Sequence, residues 1–427
     1  MSFRFFRHLQ NGNSIALLFS ANTVSGFAQG ISMLAIPWYF AQTVEQNTFF
    51  GNLYAIITFI SLFWGLYVGV LIDKYKRKTI FLWENFAGGV LLTTATIVGY
   101  VLGEVPMPLV ALVFAGTFFN FNVHYPALHA FVQEVSAKED YSRITSYLEI
   151  QGQVTTALSG ALAAILLSGV SKGTVNVLGY SFYFPFSFAA WSLTDVFMLD
   201  SITYWLALLF IIPIQYQSIA VRHVETESLI ARFKIGLHFL QKNIVLFIFG
   251  NASYFIFVCT MVINFGMLPG YALHELNGGA NTYAIGDIFW SIGSALAGAF
   301  IGRWFKGSNT VKGNIIMTGL AATSLLFLAF FRNVYLFYAM LFLFGWANAG
   351  ARVLRVTYLF HHIPNQIIGR TSGVFQVVNV LLRFLFIVVC TQSFMLANMT
   401  YPLLILSAGC WFSLFIMLRY YKQLSGK

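Results

Sequence analysis

The sequence predicts an all-α membrane protein with about twelve transmembrane helices in two pseudo-symmetric six-helix bundles, and three observations carry that reading. The 427 residues are 58% hydrophobic and 9% charged, with a mean hydropathy of +0.75, where soluble domains carry about 25% charged residues. So few charges cannot solvate a globular surface. The apolar residues also come in long runs, such as Leu53 to Ile72, Ile80 to Leu102 and Ile315 to Phe331. Runs of about 20 residues cross the hydrocarbon layer as helices, whereas a barrel would alternate over segments of about ten. The third observation is the sorting of basic residues between the two sides of the membrane.

In chain order, the predicted spans are residues 14–41, 49–72, 79–102, 108–132, 143–169 and 189–212, then 243–268, 281–302, 313–331, 333–360, 371–396 and 400–419. The widest polar interval, Gln215 to Asn243, holds Arg222, Glu225, Glu227, Arg232, Lys234 and Lys242. It divides the chain into an N-terminal bundle (1–213), a cytoplasmic linker (214–242) and a C-terminal bundle (243–427). On this map 19 of the 24 Lys and Arg residues share a side with both termini, only Lys172 and Arg332 lie opposite, and Arg352, Arg355 and Arg383 lie within spans. That bias predicts a multi-pass inner-membrane protein with both termini cytoplasmic and an even span count.

The net charge of +10 is therefore a topology signal, not a nucleic-acid surface. Cys259, Cys390 and Cys410 lie inside apolar runs, so no disulfide framework, metal site or cofactor is expected. The polar stretch around Gln10 to Ser14 leads into a full-length span without a small-residue cleavage pattern, so no cleavable signal peptide is expected.

A faint internal repeat supports two related halves. Gly69-Val-Leu-Ile-Asp-Lys74 after span two matches Gly298-Ala-Phe-Ile-Gly-Arg303 after span eight, at an offset of 229 residues. Tyr141-Ser-Arg-Ile-Thr-Ser146 matches Ile368-Gly-Arg-Thr-Ser-Gly373 at an offset of 227. Two landmarks recurring at nearly one spacing are what parallel six-helix halves give.

The stretch Gly69-Val-Leu-Ile-Asp73-Lys74-Tyr75-Lys76-Arg77-Lys78 resembles the loop signature of the major facilitator superfamily. In physical terms Gly69 permits close helix approach, Asp73 accepts charge-assisted hydrogen bonds, and Lys74, Arg77 and Lys78 hold the loop at the cytoplasmic face. Pro126-Ala-Leu-His129, Lys138-Glu-Asp140 with Arg143, the amphipathic Phe233 to Asn243, and Ile368-Gly369-Arg370 before span eleven resemble the macrolide-efflux and siderophore-exporter branch. The resemblance implies alternating access between two bundles, a loop that governs conformational switching, and export driven by a proton gradient. Two departures weaken the last point. Span four lacks the arginine of many proton-coupled members and reads Ala115-Gly-Thr-Phe-Phe-Asn120, and Gly302 stands where the first half has Asp73.

Charges inside a bilayer cost about 2.5–3.5 kcal/mol each on insertion scales and face a cavity or a partner. Glu84 lies about a turn from the basic loop, where pairing with that loop is as good a reading as function, and Asp195 and Asp287 fall near the outer interface. Glu149 and Asp200 lie deeper; a desolvated carboxyl suits reversible protonation, and histidine, the residue type at position 124, can take up or release a proton, so Glu149, Asp200 and His124 are candidates for proton coupling. Each can equally make a structural interhelical bond.

Arg352 and Arg355, three apart and so on one helical face, and Arg383, deep in span eleven, are candidates for holding an anionic group. The first two can also snorkel toward the cytoplasm near His361. Asn22 and Gln29, seven apart on span one, can line a substrate cavity or join helices. Tyr180 to Phe186 reads as an interfacial aromatic segment.

The expected function is secondary transport, by a monomer among membrane lipids, of a small drug-like or siderophore-like molecule, with export coupled to protons. A carrier of anionic siderophores or metabolites in either direction is the first alternative, a lipid flippase another, and a non-transporting receptor or scaffold the rival from a different class. No nucleophile, base or metal constellation suggests an enzyme.

Overall fold

The computed structural model describes residues 11–136, 140–169, 173–177, 180–184, 187–215, 229–305, 309–364, 367–392 and 397–425. Residues 216–228 of the predicted linker, and Arg4, Arg7, Lys138, Lys172, Lys306 and Lys427 from the charge count, lie outside the described residues.

Helices run where the apolar runs predict them: α1 (Gly12–Trp38), α2 (Asn47–Lys74), α3 (Arg77–Leu102), α4 (Met107–Val135), α5 (Tyr141–Ser168) and α6 (Leu193–Ile211). The amphipathic segment is its own helix, α7 (Leu229–Lys242), followed by α8 (Ile244–Gly266) and a three-residue turn α9 (Leu268–Gly270). Next come α10 (Ala280–Trp304), α11 (Asn309–Phe330), α12 (Val334–His362), α13 (Ile368–Cys390), α14 (Thr400–Arg419) and α15 (Tyr421–Leu424).

Eleven of the described helices are long and apolar enough to cross a membrane, α2 to α6, α8 and α10 to α14. The helix α1 is uncharged and its 27 residues span about 40 Å at 1.5 Å per residue. It falls outside the eleven because Asn22, Thr23, Ser25, Gln29 and Ser32 dilute its apolar character, and with it the count is twelve. Large apolar side chains such as Trp83, Val101, Leu209, Phe412 and Phe415 stand exposed around these helices, as a lipid solvent requires.

Local chemistry fixes the helix ends. Gly103, at φ 85°, closes α3 in the left-handed region that favours glycine, and Pro106 stands before α4. Ser192 and Asp195 form a capping box at the start of α6: the serine hydroxyl accepts from Asp195 N, and the carboxylate accepts from Ser192 N at 2.9 Å. Asn333 caps α12, its Oδ1 accepting from the amides of Tyr335 and Leu336 at 3.0 Å.

One expectation is corrected: Ile368-Gly369-Arg370, read as loop, is the first turn of α13, against which α7 packs. The aromatic stretch before span six contributes β2 (Tyr180–Phe184) to a short antiparallel hairpin with β1 (Gly173–Val177).

The repeat landmarks occupy equivalent places. Lys74 ends α2 and Arg303 is next to last in α10, while Arg143 and Arg370 are each the third residue of their helices, α5 and α13.

Two compact units emerge. The first comprises Met1–Thr43, Phe63–Val224 and Gly279–Ala284, the second Val44–Leu62, Glu225–Gly278 and Ile285–Lys427. The first is cored by residues such as Ile15, Leu18, Phe81, Ala127, Phe131 and Ile211. The second is cored by residues such as Leu240, Phe249, Val311, Val374, Phe375 and Met417.

Candidate functional site

The polar residues that keep α1 outside the eleven apolar spans include those that bond it to its neighbours. Asn22 Oδ1 lies 2.9 Å from His124 Nε2 on α4, Gln29 Nε2 donates to Tyr204 OH on α6 at 2.8 Å, and Ser32 Oγ donates to Asp200 Oδ2 on α6 at 2.6 Å. Asn120 Nδ2 on α4 also donates to Tyr204 OH, at 3.0 Å. Four sequence candidates, Asn22, Gln29, His124 and Asp200, thus take part in three separate groups of bonds that tie α1 to α4 and α6 within the first unit.

Glu84 extends the Asn22–His124 group to α3. Its Oε2 lies 3.5 Å from His124 Nδ1, an electrostatic contact longer than a normal hydrogen bond, and its side chain is 8% exposed. The predicted pairing of Glu84 with the basic loop is replaced by this one. With Asn22 Oδ1 accepting, His124 Nε2 carries a hydrogen, so Nδ1 faces the carboxyl group. Glu84 and His124 can then hold one proton between them, as imidazolium and carboxylate or as imidazole and carboxylic acid.

Beside this pair lies a cavity of about 230 Å³, walled by Trp64 of α2, Glu84 and Leu91 of α3, Phe119 and Asn120 of α4 and Tyr204 of α6. Gly88 makes room for the phenol, since a Cβ there would sit 2.3 Å from Tyr204 Cε1. Trp64 Nε1, both Glu84 oxygens, Asn120 Oδ1 and Asp200 Oδ1 are buried and make no hydrogen bond among the described residues. A second cavity, of about 280 Å³, lies near the opposite end of α3 from the basic loop and is lined by Trp38, Tyr39, Gln42, Glu104, Trp191 and Ser192, among others.

The basic cluster between α2 and α3 divides by role. Lys78 Nζ donates to the carbonyls of Ile212 at 2.6 Å and Ile214 at 2.9 Å, satisfying the C-terminal end of α6. Arg77 is buried, with Nε 3.5 Å from Glu134 Oε1 on α4, and Lys74 is exposed with its ammonium over the Tyr75 ring. The backbones of Gly69, Asp73 and Glu149 are helical, in α2 and α5, but their side chains lie outside the described residues.

In the second unit the arginines separate. Arg352 is exposed, whereas Arg355 is buried, donating from Nη1 to Ser253 O at 2.9 Å and stacking over the Tyr254 ring at 3.6 Å. The shared face expected from their spacing is therefore not shared, because the boundary of the packed interior runs between them. Arg383 is 8% exposed within α13. Asp195 serves the capping box and accepts from Tyr100 OH at 2.8 Å. Asp287 lies seven residues beyond the start of α10 and is partly buried.

Sequence reasoning missed Trp64, Asn120 and Tyr204 altogether. An asparagine inside an apolar run was the one signal available.

The family model of the Major Facilitator Superfamily matches residues 18–387. The chain is 24% identical over 320 residues to a protein named "Putative bacilysin exporter BacE" in Bacillus amyloliquefaciens and Bacillus subtilis, covering 72% of this chain and 71% of those relatives. Among solved structures, the nucleoside transporter NupG superposes with a TM-score of 0.71 at 14% identity, covering 96% of this chain and 99% of that one. A bacterial homologue of the iron transporter ferroportin, inward-facing, gives 0.69 at 13%, covering 96% and 98%. The human organic anion transporter MFSD10 gives 0.62 at 12%, covering 95% and 99%. At such identities these structures share the fold alone.

Proposed function

From the premise that the chain belongs to the Major Facilitator Superfamily, and so is a membrane transporter of small molecules rather than an enzyme, we propose that it is a proton-coupled exporter of a small organic molecule. The single observation that carries the coupling is the contact of Glu84 with His124, inside a network reaching from α3 through α4 to Asn22 on α1. A buried pair that exchanges one proton converts a proton gradient into a change of interhelical bonding, and Asp200, tied to Ser32 on α1, is a second buried carboxyl in the first unit. Export is supported by the name of the Bacillus relatives, and the bias of the basic residues favours an inner-membrane protein with both termini inside. The two halves exchange access to the substrate by rocking, and the chain acts as a monomer.

The anion-carrier reading loses weight because Arg355 is engaged by a carbonyl and a ring, which leaves Arg383 as its main support. Uptake of a siderophore and drug panel into inverted vesicles, with the proton gradient present or collapsed, tests the proposal. His124→Gln and Glu84→Gln are expected to lose gradient-driven accumulation while retaining substrate exchange, which needs no net change in protonation. Full gradient response in both variants would overturn the coupling.

A further inference from the structure

We infer that the cavity enclosed by α2, α3, α4 and α6 within the first unit is a binding site for a protonated amine carried on a small aromatic or apolar body. The inference deepens the exporter reading by naming a substrate chemistry, and it rests on that reading only for the role of the ligand.

Four features select this ligand. The volume of about 230 Å³ equals roughly eight liquid waters, enough for a compact group of under about ten heavy atoms. The walls are largely apolar and aromatic, with Trp64 and Phe119 rings 5.7 Å apart and Leu91 and Val123 in the lining. Glu84, more than nine-tenths buried, lines this space, and neither of its oxygens accepts a hydrogen bond among the described residues. Asn120 Oδ1, which accepts no hydrogen bond among the described residues, is a second acceptor in the same lining.

The amide that carries that oxygen spends its nitrogen on Tyr204 OH, which also accepts from Gln29. These bonds hold Asn120 Oδ1 away from Tyr204, so the oxygen is presented without a donor. A carboxylate with an adjacent carbonyl acceptor and aromatic walls is the complement of an ammonium group, which brings three donors and a positive charge. A carboxylate ligand would meet Glu84 with like charge. A neutral hydroxyl would satisfy one acceptor and leave the buried charge to His124 alone. The bound ammonium instead supplies Glu84 with the counter-charge that His124, at 3.5 Å, offers only at long range.

The test is equilibrium binding to the purified full-length chain in lipid nanodiscs, with no gradient imposed. Titration calorimetry would compare benzylamine with benzyl alcohol at neutral pH. Benzylamine is expected to bind saturably and at least about tenfold more tightly, the worth of a charged hydrogen bond. Glu84→Gln is expected to erase that preference, and Leu91→Trp, which fills the space, to remove saturable binding of both.

Equal affinities in the parent protein, or a preference that survives in folded Glu84→Gln, would overturn the site. Should Glu84→Gln fail to fold, unchanged benzylamine binding by folded Leu91→Trp would overturn it equally. Failed binding leaves gradient-driven export standing, and failed export leaves the amine site standing.

Discussion

Ser32 Oγ donates to Asp200 Oδ2 at 2.6 Å, joining α1 to α6 in a place where the aspartate is 0% exposed. The other oxygen, Oδ1, makes no hydrogen bond among the described residues, so the serine is the main side-chain donor to this carboxyl group. Ser32→Ala is therefore expected to destabilise the first unit by about 1–3 kcal/mol, the cost of stranding a buried acceptor. Ser32→Thr, which keeps the hydroxyl, should lose less. Thermal unfolding in detergent would show the order, and an unchanged midpoint in Ser32→Ala would mean that another donor takes over.

What the sequence made legible follows from one physical cause, the cost of exposing backbone and charge to hydrocarbon. That cost writes each span as a continuous apolar run, so predicted residues 400–419 coincide with α14 and 333–360 differ from α12 by two residues at most. It says nothing about how a helix is rotated against its neighbours. Arg352 and Arg355 are about 60° apart around their helix, close enough to share a face by spacing, yet the edge of the packed interior falls between them.

The contact of Glu84 with His124 was hidden for the same reason, being set by the rotation of α3 against α4. Tyr204 was hidden because a tyrosine in an apolar run is indistinguishable from an interfacial aromatic until its two donors, Gln29 and Asn120, are in place. The hairpin β1–β2 was legible in principle, since Tyr180-Ser-Phe-Tyr-Phe184 is rich in strand-favouring aromatics, but an aromatic cluster before a span also reads as a membrane interface.

The basic cluster between α2 and α3 should respond unevenly to substitution. Arg77→Ala removes one member of a buried ion pair whose side chains are 5% and 3% exposed, which costs about 3–5 kcal/mol in such settings. Lys74→Ala removes an exposed ammonium and should change stability by less than about 0.5 kcal/mol. Denaturation monitored by tryptophan fluorescence would separate them. Equal and small effects would show that Glu134 does not depend on Arg77.

Topology can be read directly. Reporter fusions within the polar linker, at Lys234, and near the C-terminus, at Ser425, are expected to report cytoplasm, as the 19-to-2 division of basic residues requires. A periplasmic signal from either would change the parity of the spans between them and break the twelve-span arrangement.

The two buried arginines of the second unit, Arg355 and Arg383, should part company when each is replaced by glutamine. Arg355 is committed locally, to the carbonyl of Ser253 and the face of Tyr254, and its exposure is 4%. Removing it breaks a charge-assisted hydrogen bond and a close cation–π contact, each worth about 1–3 kcal/mol when desolvated. Arg355→Gln is thus expected to lower thermal stability while shifting the affinities for an anionic substrate and its neutral ester by the same factor. Arg355→Lys should rescue little, because a lysine ammonium lacks the planar fork that stacks and donates together.

Arg383 sits in the middle of α13 at 8% exposure, and its guanidinium fork suits a substrate carboxylate or phosphate whatever it holds within the protein. Arg383→Gln is expected to weaken the anionic form by about ten- to a hundredfold relative to its ester, with a smaller change in unfolding temperature. Competition binding with the acid and ester of one compound, run beside thermal unfolding of both variants, reads the two effects independently. Equal losses for acid and ester in Arg383→Gln would make Arg383 a second structural arginine, and of the three arginine candidates only the exposed Arg352 would then remain for anion recognition.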